Sequence, residues 1–491
     1  MAHQSLQHIT MALLTEAAEV YRDSPRASAW LHQHLARCRQ PLRIAIAGQS
    51  GAGKSTLVNA IVGEQVAPIT GTEGHSLPAW YTDGQEPRAR VRTPDGRAHE
   101  VGVSRRGYGP GIDVTGWHRD QVEQVEVEWP ARTLRDLIVI DTPALRPPMD
   151  EPAGSPSARR IAADADAIVF LARQPHGSDL PLLWSWQDGR VAEAVPMSTL
   201  LVLARADEMN AGRIDALPAA RQLARRYRRD PRLRPLCQQV VAVSALLAAA
   251  GRTLTEWEFQ ALAALAAMGR TELERVLLSA DRFAGTGLAA LPDAGARQAL
   301  LARFGLSGLR LTATLIRQGC DNRAALAAQL VQRSGLSELR ESISAQLVHR
   351  GTVLKARTAL VGLEVVLRRE PRAGARGLAA QLDGVLAGAH EFRELRLLAA
   401  LRTGRTTLPP EWDSEAMRLI GGLGCSPAER FGIEGEAGGA QLRELIMDAL
   451  ARWHEHAESP VGGVDLREAA DTVLGSCEIM LRDLPAATVG R

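Results

Sequence analysis

Residues 44–56 read IAIAGQSGAGKST. The apolar, β-rich run LRIAIA (42–47) ends in a glycine-rich loop, and TLVNAIVG (56–63) follows with helical spacing. GQSGAGKS (48–55) matches G-x-x-x-x-G-K-S between a strand and a helix. In that context backbone N–H groups and a helix N-terminus cradle phosphates. Gly48, Gly51, Ala52, Gly53, Lys54, Ser55 and Thr56 are therefore the expected phosphate contacts, with Lys54 between the β and γ phosphates and the Ser55 hydroxyl on Mg²⁺. The chain holds only two lysines, Lys54 and Lys355, against 56 arginines. A wide, planar guanidinium does not fit the space an ammonium takes in a phosphate cradle, which accounts for Lys54. Nothing in the sequence accounts for Lys355.

Working outward, VEQVEVEW (122–129), LIVI (137–140), AIVFLA (167–172), TLLVLA (199–204) and VVAV (240–243) recur with helical stretches between several of them. Most are continuous apolar runs, as in a sheet covered on both faces; 122–129 alternates strictly and predicts an edge or half-exposed strand. The fold class is an α/β P-loop domain with a mostly parallel sheet. LIVIDTPA (137–144) ends its strand in Asp141, placed to hold Mg²⁺ through water. LLVLARAD (200–207) ends in Arg205, whose stem can stack on a base, and Asp207, which can accept from guanine N1 and N2; adenine offers no such pair. VVAVSAL (240–246) puts Ser244 and Ala245 where a backbone N–H meets guanine O6. Together these predict GTP rather than ATP.

Two short helices are expected over 5–39, and after about 245 no strand is expected. The run 337–370 predicts one helix about 50 Å long. The faces Leu442–Trp453 and Leu466–Leu481, joined by ESPVGGVD (458–465), predict an αα-hairpin in a long helical bundle. Residues 146–160 and 424–440 read as loops. The division expected is 1–40, N-terminal helices; 41–285, the nucleotide domain; 286–491, a helical bundle.

Formal net charge is +2, which argues against a nucleic-acid coat. Five scattered cysteines without a CxxC pair fit a reducing compartment and neither a disulfide framework nor a zinc site. The first twenty residues lack the pattern of a secretory leader, and no window approaches 18 uninterrupted apolar residues. A cytoplasmic protein with at most peripheral membrane contact is expected.

The chain resembles a dynamin-superfamily GTPase, more narrowly an actinobacterial bacterial dynamin-like protein. GKSTLVNAIVGEQVAP (53–68), WYTDG (80–84), ADAIVFLARQPHGSD (165–179), LARADEMNAGRIDALPAA (203–220), RRYRRDPRLRPLCQQVVAVSALLA (225–248) and LKARTALVGLEVVL (354–367) carry the resemblance. It implies a GTPase using GTP and Mg²⁺, a helical neck and trunk, self-assembly or assembly with a paralogue, and action on membranes in division, septation or membrane stress. The family's switch I threonine falls near His75 or Ser76, with Thr70 and Thr72 close by; Thr72 is taken as the metal-ligand candidate. Its switch II glycine is Ala144 here, and its catalytic glutamine position holds Ser50, with Gln49 one place early. These departures predict slow hydrolysis. Two alternatives stand: a GTP-binding structural partner of a more active paralogue, and a P-loop small-molecule kinase. Arg368, Arg369, Arg372 and Arg376 in LRREPRAGARG (367–377) are the candidates for contact with anionic lipid. RRYRRDPRLR (225–234) reads as a solvated helix face, and His176 as a loop residue.

Overall fold

The computed structural model describes residues 5–67, 77–145, 164–175, Leu183 and 198–484, less short gaps at 107–108, 113, 115, 119–120, 214, 286, 292, 434, 436–437 and 459–462. Helices α1 (Leu6–Val20) and α2 (Pro25–Arg39) precede β1 (Leu42–Gly48) and α3 (Lys54–Val62). Then follow β2 (Ala79–Asp83), β3 (Arg88–Arg92), β4 (Ala98–Val101), β5 (Val103–Arg106), β6 (Gly109–Ile112), β7 (Gln124–Trp129), β8 (Leu137–Asp141), β9 (Ala167–Ala172), β10 (Thr199–Ala204) and β11 (Gln239–Val243). Beyond β11 the described elements are helices, apart from one isolated bridge between Leu288 and Leu291.

Nine strands form one sheet in the order β11-β10-β9-β1-β8-β2-β7-β3-β4, and β5 and β6 form a separate pair. From β11 to β8 every pairing is parallel. β2 then runs antiparallel to β8 but parallel to β7, and β3 and β4 complete an antiparallel flank. Strands β8, β9 and β10 are buried at every position, as their unbroken apolar runs require. β7 alternates, with Val125, Val127 and Trp129 inward, while Arg92 of β3 grips Glu126 on the other face at 2.7 Å. It is half-exposed but not an edge; β4 is the edge on this flank. Alternation reports which face is covered, not whether both neighbours are present.

Two further expectations change. The run 337–370 is not one helix: Leu336–Ile343 passes through a π-turn segment, Ser344–Val348, before Gly351–Arg369 begins. Polar side chains on the covered side set this break. Buried Gln346 donates to the Leu423 carbonyl at 3.0 Å, and buried Arg350 donates to the Gly421 carbonyl and, at 3.1 Å, to Cys425 Sγ. The 424–440 stretch holds a short helix, Pro427–Phe431, closed by a capping box between Ser426 and Glu429.

Beyond the expected boundary at 285, Leu300, Phe304, Leu309, Leu315, Leu326 and Leu330 pack into the cluster on one sheet face. Leu336, Leu339, Ile343 and Leu347 join the cluster on the other face. The second body gathers α1, α2, Gly351–Arg369 and the later helices through Asp483 around Leu14, Leu31, Leu363, Leu398, Trp453 and Cys477. One helix, Ala294–Arg317, has a mean hydropathy of 1.3 over an 18-residue window, and part of that window is buried in the cluster on one sheet face.

Candidate functional site

The parallel strands β1, β8, β10 and β11 end on one side of the sheet, the side where an open α/β sheet receives ligands. At the end of β1, Gly48 has φ +151°, and a Cβ there would lie 2.5 Å from the Leu171 carbonyl of β9. Gly53 sits at φ +93° as the N-cap of α3, turning the chain into the helix where only glycine is unstrained. Lys54 is buried, and its Nζ donates to the carbonyls of Gly48 and Gln49, each at 3.1 Å. Burial pushes its pKa down, against the opposing pull of Asp141.

Ser55 Oγ donates to Asp141 Oδ2 at 2.6 Å, joining the first turn of α3 to the end of β8. Burial lifts the Asp141 carboxyl to about 6, while the Ser55 hydrogen bond and the Lys54 charge pull the other way. Asp141 Oδ1 is buried with no hydrogen-bond partner among the described residues. Two hard oxygens, one of them unsatisfied, suit Mg²⁺. No group of three His, Cys, Asp or Glu side chains gathers among the described residues, so such an ion would take its other ligands from phosphate oxygens and water. Thr142 anchors the strand end through Oγ1 to the Ile46 carbonyl at 2.9 Å; Ala144 follows, half-buried.

On the base side, Arg205 takes φ +53° after β10, and its Nε donates to the Gly51 carbonyl at 3.0 Å. Its Nη1 meets Glu208 at 2.5 Å. Asp207 is buried, which raises its pKa against a hydrogen bond with Ser244. Ser244, fully buried at the end of β11, also caps the next helix by accepting from the Leu247 N–H. Ala245 follows as its first residue; a Cβ on Gly53 would lie 4.0 Å from the Ala245 side chain. The residues expected from four separate motifs thus meet at one site.

Gln49 and Ser50 line a neighbouring cleft of about 490 Å³ with Arg173, Arg205, Glu208 and Met209. Thr70, Thr72, His75, Ser76 and His176 lie outside the described residues. Arg173, Glu208 and the buried Tyr81 of β2 were not anticipated as site residues; each lies in a stretch noted for its family resemblance alone, 165–179, 203–220 and 80–84. The basic stretch 225–234 is not simply a solvated face. Arg228 donates to the Val240 carbonyl at 2.8 Å and to Glu338, and Arg234 reaches the Leu401 carbonyl at 3.4 Å.

Because α2 feeds β1 and Gly351 lies beside Leu42, the turn 21–24 and the stretch 367–377 fall at the bundle end away from the sheet. Arg368, Arg369 and Arg376 are exposed there, whereas Arg372 lies over the Tyr21 ring at 4.7 Å, donates to the Val20 carbonyl and pairs with Asp23.

No family model matches the chain. It is 37% identical over 474 residues to the isoniazid-induced protein IniC of Mycobacterium tuberculosis, in strain CDC 1551 / Oshkosh and in strain H37Rv, with 96% of each chain covered. Two solved chains of an oligomerised bacterial dynamin pair, described as a mechanism for long-range sensing and tethering of membranes, cover 99% and 98% of this chain and 81% of their own. They are 13% and 15% identical to it, with TM-scores of 0.31 and 0.30.

Proposed function

The chain belongs to the family of the isoniazid-induced protein IniC, and from that premise we propose that it is a dynamin-like protein that binds GTP with Mg²⁺ and acts at a membrane surface. One observation carries the nucleotide half of this reading: Ser55 and Asp141 meet at 2.6 Å beside the buried Lys54, with Asp141 Oδ1 left unsatisfied. Asp207 and Ser244 close the other end of the same site, where a guanine N1–H and N2–H pair finds a carboxylate.

In this reading the loop N–H groups and Lys54 hold the β and γ phosphates, and Ser55 and Asp141 hold the metal side. Mg²⁺, when bound, neutralises charge that builds on the phosphates during transfer. Arg205 fixes the base-side loop to the phosphate loop through the Gly51 carbonyl. Gln49 and Ser50, the candidates at the family's catalytic position, line the cleft beside Arg205. The second reading, a GTP-loaded structural partner with little turnover, draws on Ala144. An alanine where the switch needs glycine's freedom costs about a kilocalorie per mole. The exposed Arg368, Arg369 and Arg376 support peripheral contact with anionic lipid at the far end of the bundle, each charge worth about 1 kcal/mol near the surface.

Fluorescent GTP and ATP titrations with Mg²⁺ and with EDTA, plus phosphate release with and without anionic vesicles, test the proposal against Lys54→Ala. Tight GTP binding that needs both Mg²⁺ and Lys54 is expected. Turnover raised by vesicles favours the mechanical reading, and binding without turnover favours the structural partner. Preference for ATP with transfer to a small acceptor would establish the kinase alternative and sink the proposal.

A further inference from the structure

Tyr81 of β2 is completely buried, and its hydroxyl has no hydrogen-bond partner among the described residues. The same is true of Asp141 Oδ1, on the strand paired with β2. A buried hydroxyl or carboxylate oxygen without a partner costs about 1–3 kcal/mol, so two in one place call for a common explanation. The register brings them together. Ala79 pairs with Asp141 and Tyr81 with Val139, so Tyr81 and Asp141 are diagonal neighbours on one sheet face, within reach of an aromatic side chain. That face is the one covered by α3: Tyr81 shares its core cluster with Ala52, Leu57, Ile61 and Val139. The two groups also feel each other electrostatically, since the Asp141 charge adds to burial in raising the Tyr81 pKa.

We propose that Tyr81 is a positioning residue for the metal side of the nucleotide site, its hydroxyl donating to Asp141 Oδ1 through one buried water. The inference rests on the Mg²⁺–nucleotide reading above. A carboxylate oxygen accepts two hydrogen bonds, so the link leaves Oδ1 free to accept from metal-bound water as well. Held at Oδ1 from behind and at Oδ2 by Ser55, the carboxylate cannot rotate out of the metal's reach; outer-sphere partners of this kind set ligand orientation. An otherwise apolar pocket would select phenylalanine, whereas this one holds the only tyrosine of the sheet core behind α3 among the described residues.

The test is Tyr81→Phe, which keeps the ring and removes one oxygen. The Mg²⁺ concentration for half-maximal GTP binding should rise about tenfold, as for loss of other outer-sphere partners. The weak residual nucleotide affinity in EDTA should be the same in variant and wild type, and the melting temperature of the ligand-free protein should fall slightly. An unchanged Mg²⁺ dependence with an equal or higher melting temperature overturns the inference, since deleting a truly unpartnered hydroxyl is neutral or stabilising. Wild-type protein that binds GTP without needing Mg²⁺, or not at all, overturns the parent reading before the variant is made, and this inference with it. A crystal structure of the wild type with Mg²⁺ and a non-hydrolysable GTP analogue gives a readout free of folding effects. A water within hydrogen-bond distance of both Tyr81 Oη and Asp141 Oδ1 supports the link, and its absence refutes it.

Discussion

Glu394→Gln tests whether the helical bundle is locked by charge as well as by its apolar core. Glu394 lies on the helix His390–Thr403 and is almost fully enclosed. Arg430, from the short helix 427–431, donates to it at 2.5 Å and 3.3 Å; Ser476, from the helix Val464–Asp483, donates at 2.7 Å; His390 stands 3.6 Å away. Cys477 and the Glu415–Arg452 pair, 2.7 Å long, complete the charged and titratable surroundings. Burial pushes the Glu394 carboxyl up, but the hydrogen bonds from His390, Arg430 and Ser476 and the Arg430 charge outweigh it and bring the carboxyl to about 2. A carboxyl held below its unfolded value stabilises the fold above that value, and the contribution is lost as pH falls through the folded one. Here the window runs from about pH 5 down to about pH 2, and roughly two units of depression correspond to about 3 kcal/mol at neutral pH. The glutamine variant should therefore be at least that much less stable at pH 6, because it also strands a buried guanidinium. By pH 3 the gap should shrink by roughly half. Urea unfolding followed by circular dichroism at both pH values reads this directly. If wild type and variant lose the same stability between pH 6 and pH 3, Glu394 is not the linked group and the argument fails.

Gly48→Ala would place a Cβ 2.5 Å from a strand carbonyl that cannot move without breaking the β1–β9 register, so a loss of about 2–3 kcal/mol and of nucleotide binding is expected. Gly96→Ala, also at positive φ but with open space around it, should cost only about 1 kcal/mol, and paired thermal melts compare the two. Lys355→Arg keeps the charge but loses the fit to the carbonyls of Cys38 and Gln40. Its melting temperature should fall by a few degrees while GTP affinity, measured by titration, stays close to wild type.

The candidate site residues that were legible share a cause: each lies at or just past the end of an apolar strand, where a glycine, an acid or a serine interrupts the pattern. Gly48, Asp141, Asp207 and Ser244 are all of this kind, and the structure brings them together. The antiparallel flank escaped notice because β3 and β4 are only five and four residues long and hold few apolar residues, with arginines between Ala89 and Val91 in RARVR and His99 and Glu100 in AHEV. A strand such as β3 is held by cross-strand pairs such as Arg92–Glu126 of β7, which no one-strand window contains. Tyr81 was illegible as a site residue for a related reason. Its chemistry depends on an antiparallel register with β8, and nothing local to WYTDG announces that partner. The break at 349–350 went unseen because periodicity counts apolar positions, and Gln346 and Arg350 turn inward through hydrogen bonds to carbonyls of the 421–423 segment.

The two lysines that survive among 56 arginines now have one explanation. Lys355 Nζ donates to the carbonyls of Cys38 at 3.2 Å and Gln40 at 2.8 Å, where α2 ends and the chain enters β1. Lys54 Nζ donates to Gly48 and Gln49, where the chain leaves β1. Each ammonium thus grips a pair of converging backbone carbonyls at one end of the same strand, and at each end the carbonyls belong to residues nearly adjacent in sequence. A compact tetrahedral donor satisfies such a pair from a single atom. A planar guanidinium spreads its N–H groups too widely and is better matched to the flat, two-pronged carboxylates it pairs with elsewhere in this chain, as at Glu394. Lysine is therefore found where backbone geometry sets the position of β1, the strand that joins α2 to the phosphate loop.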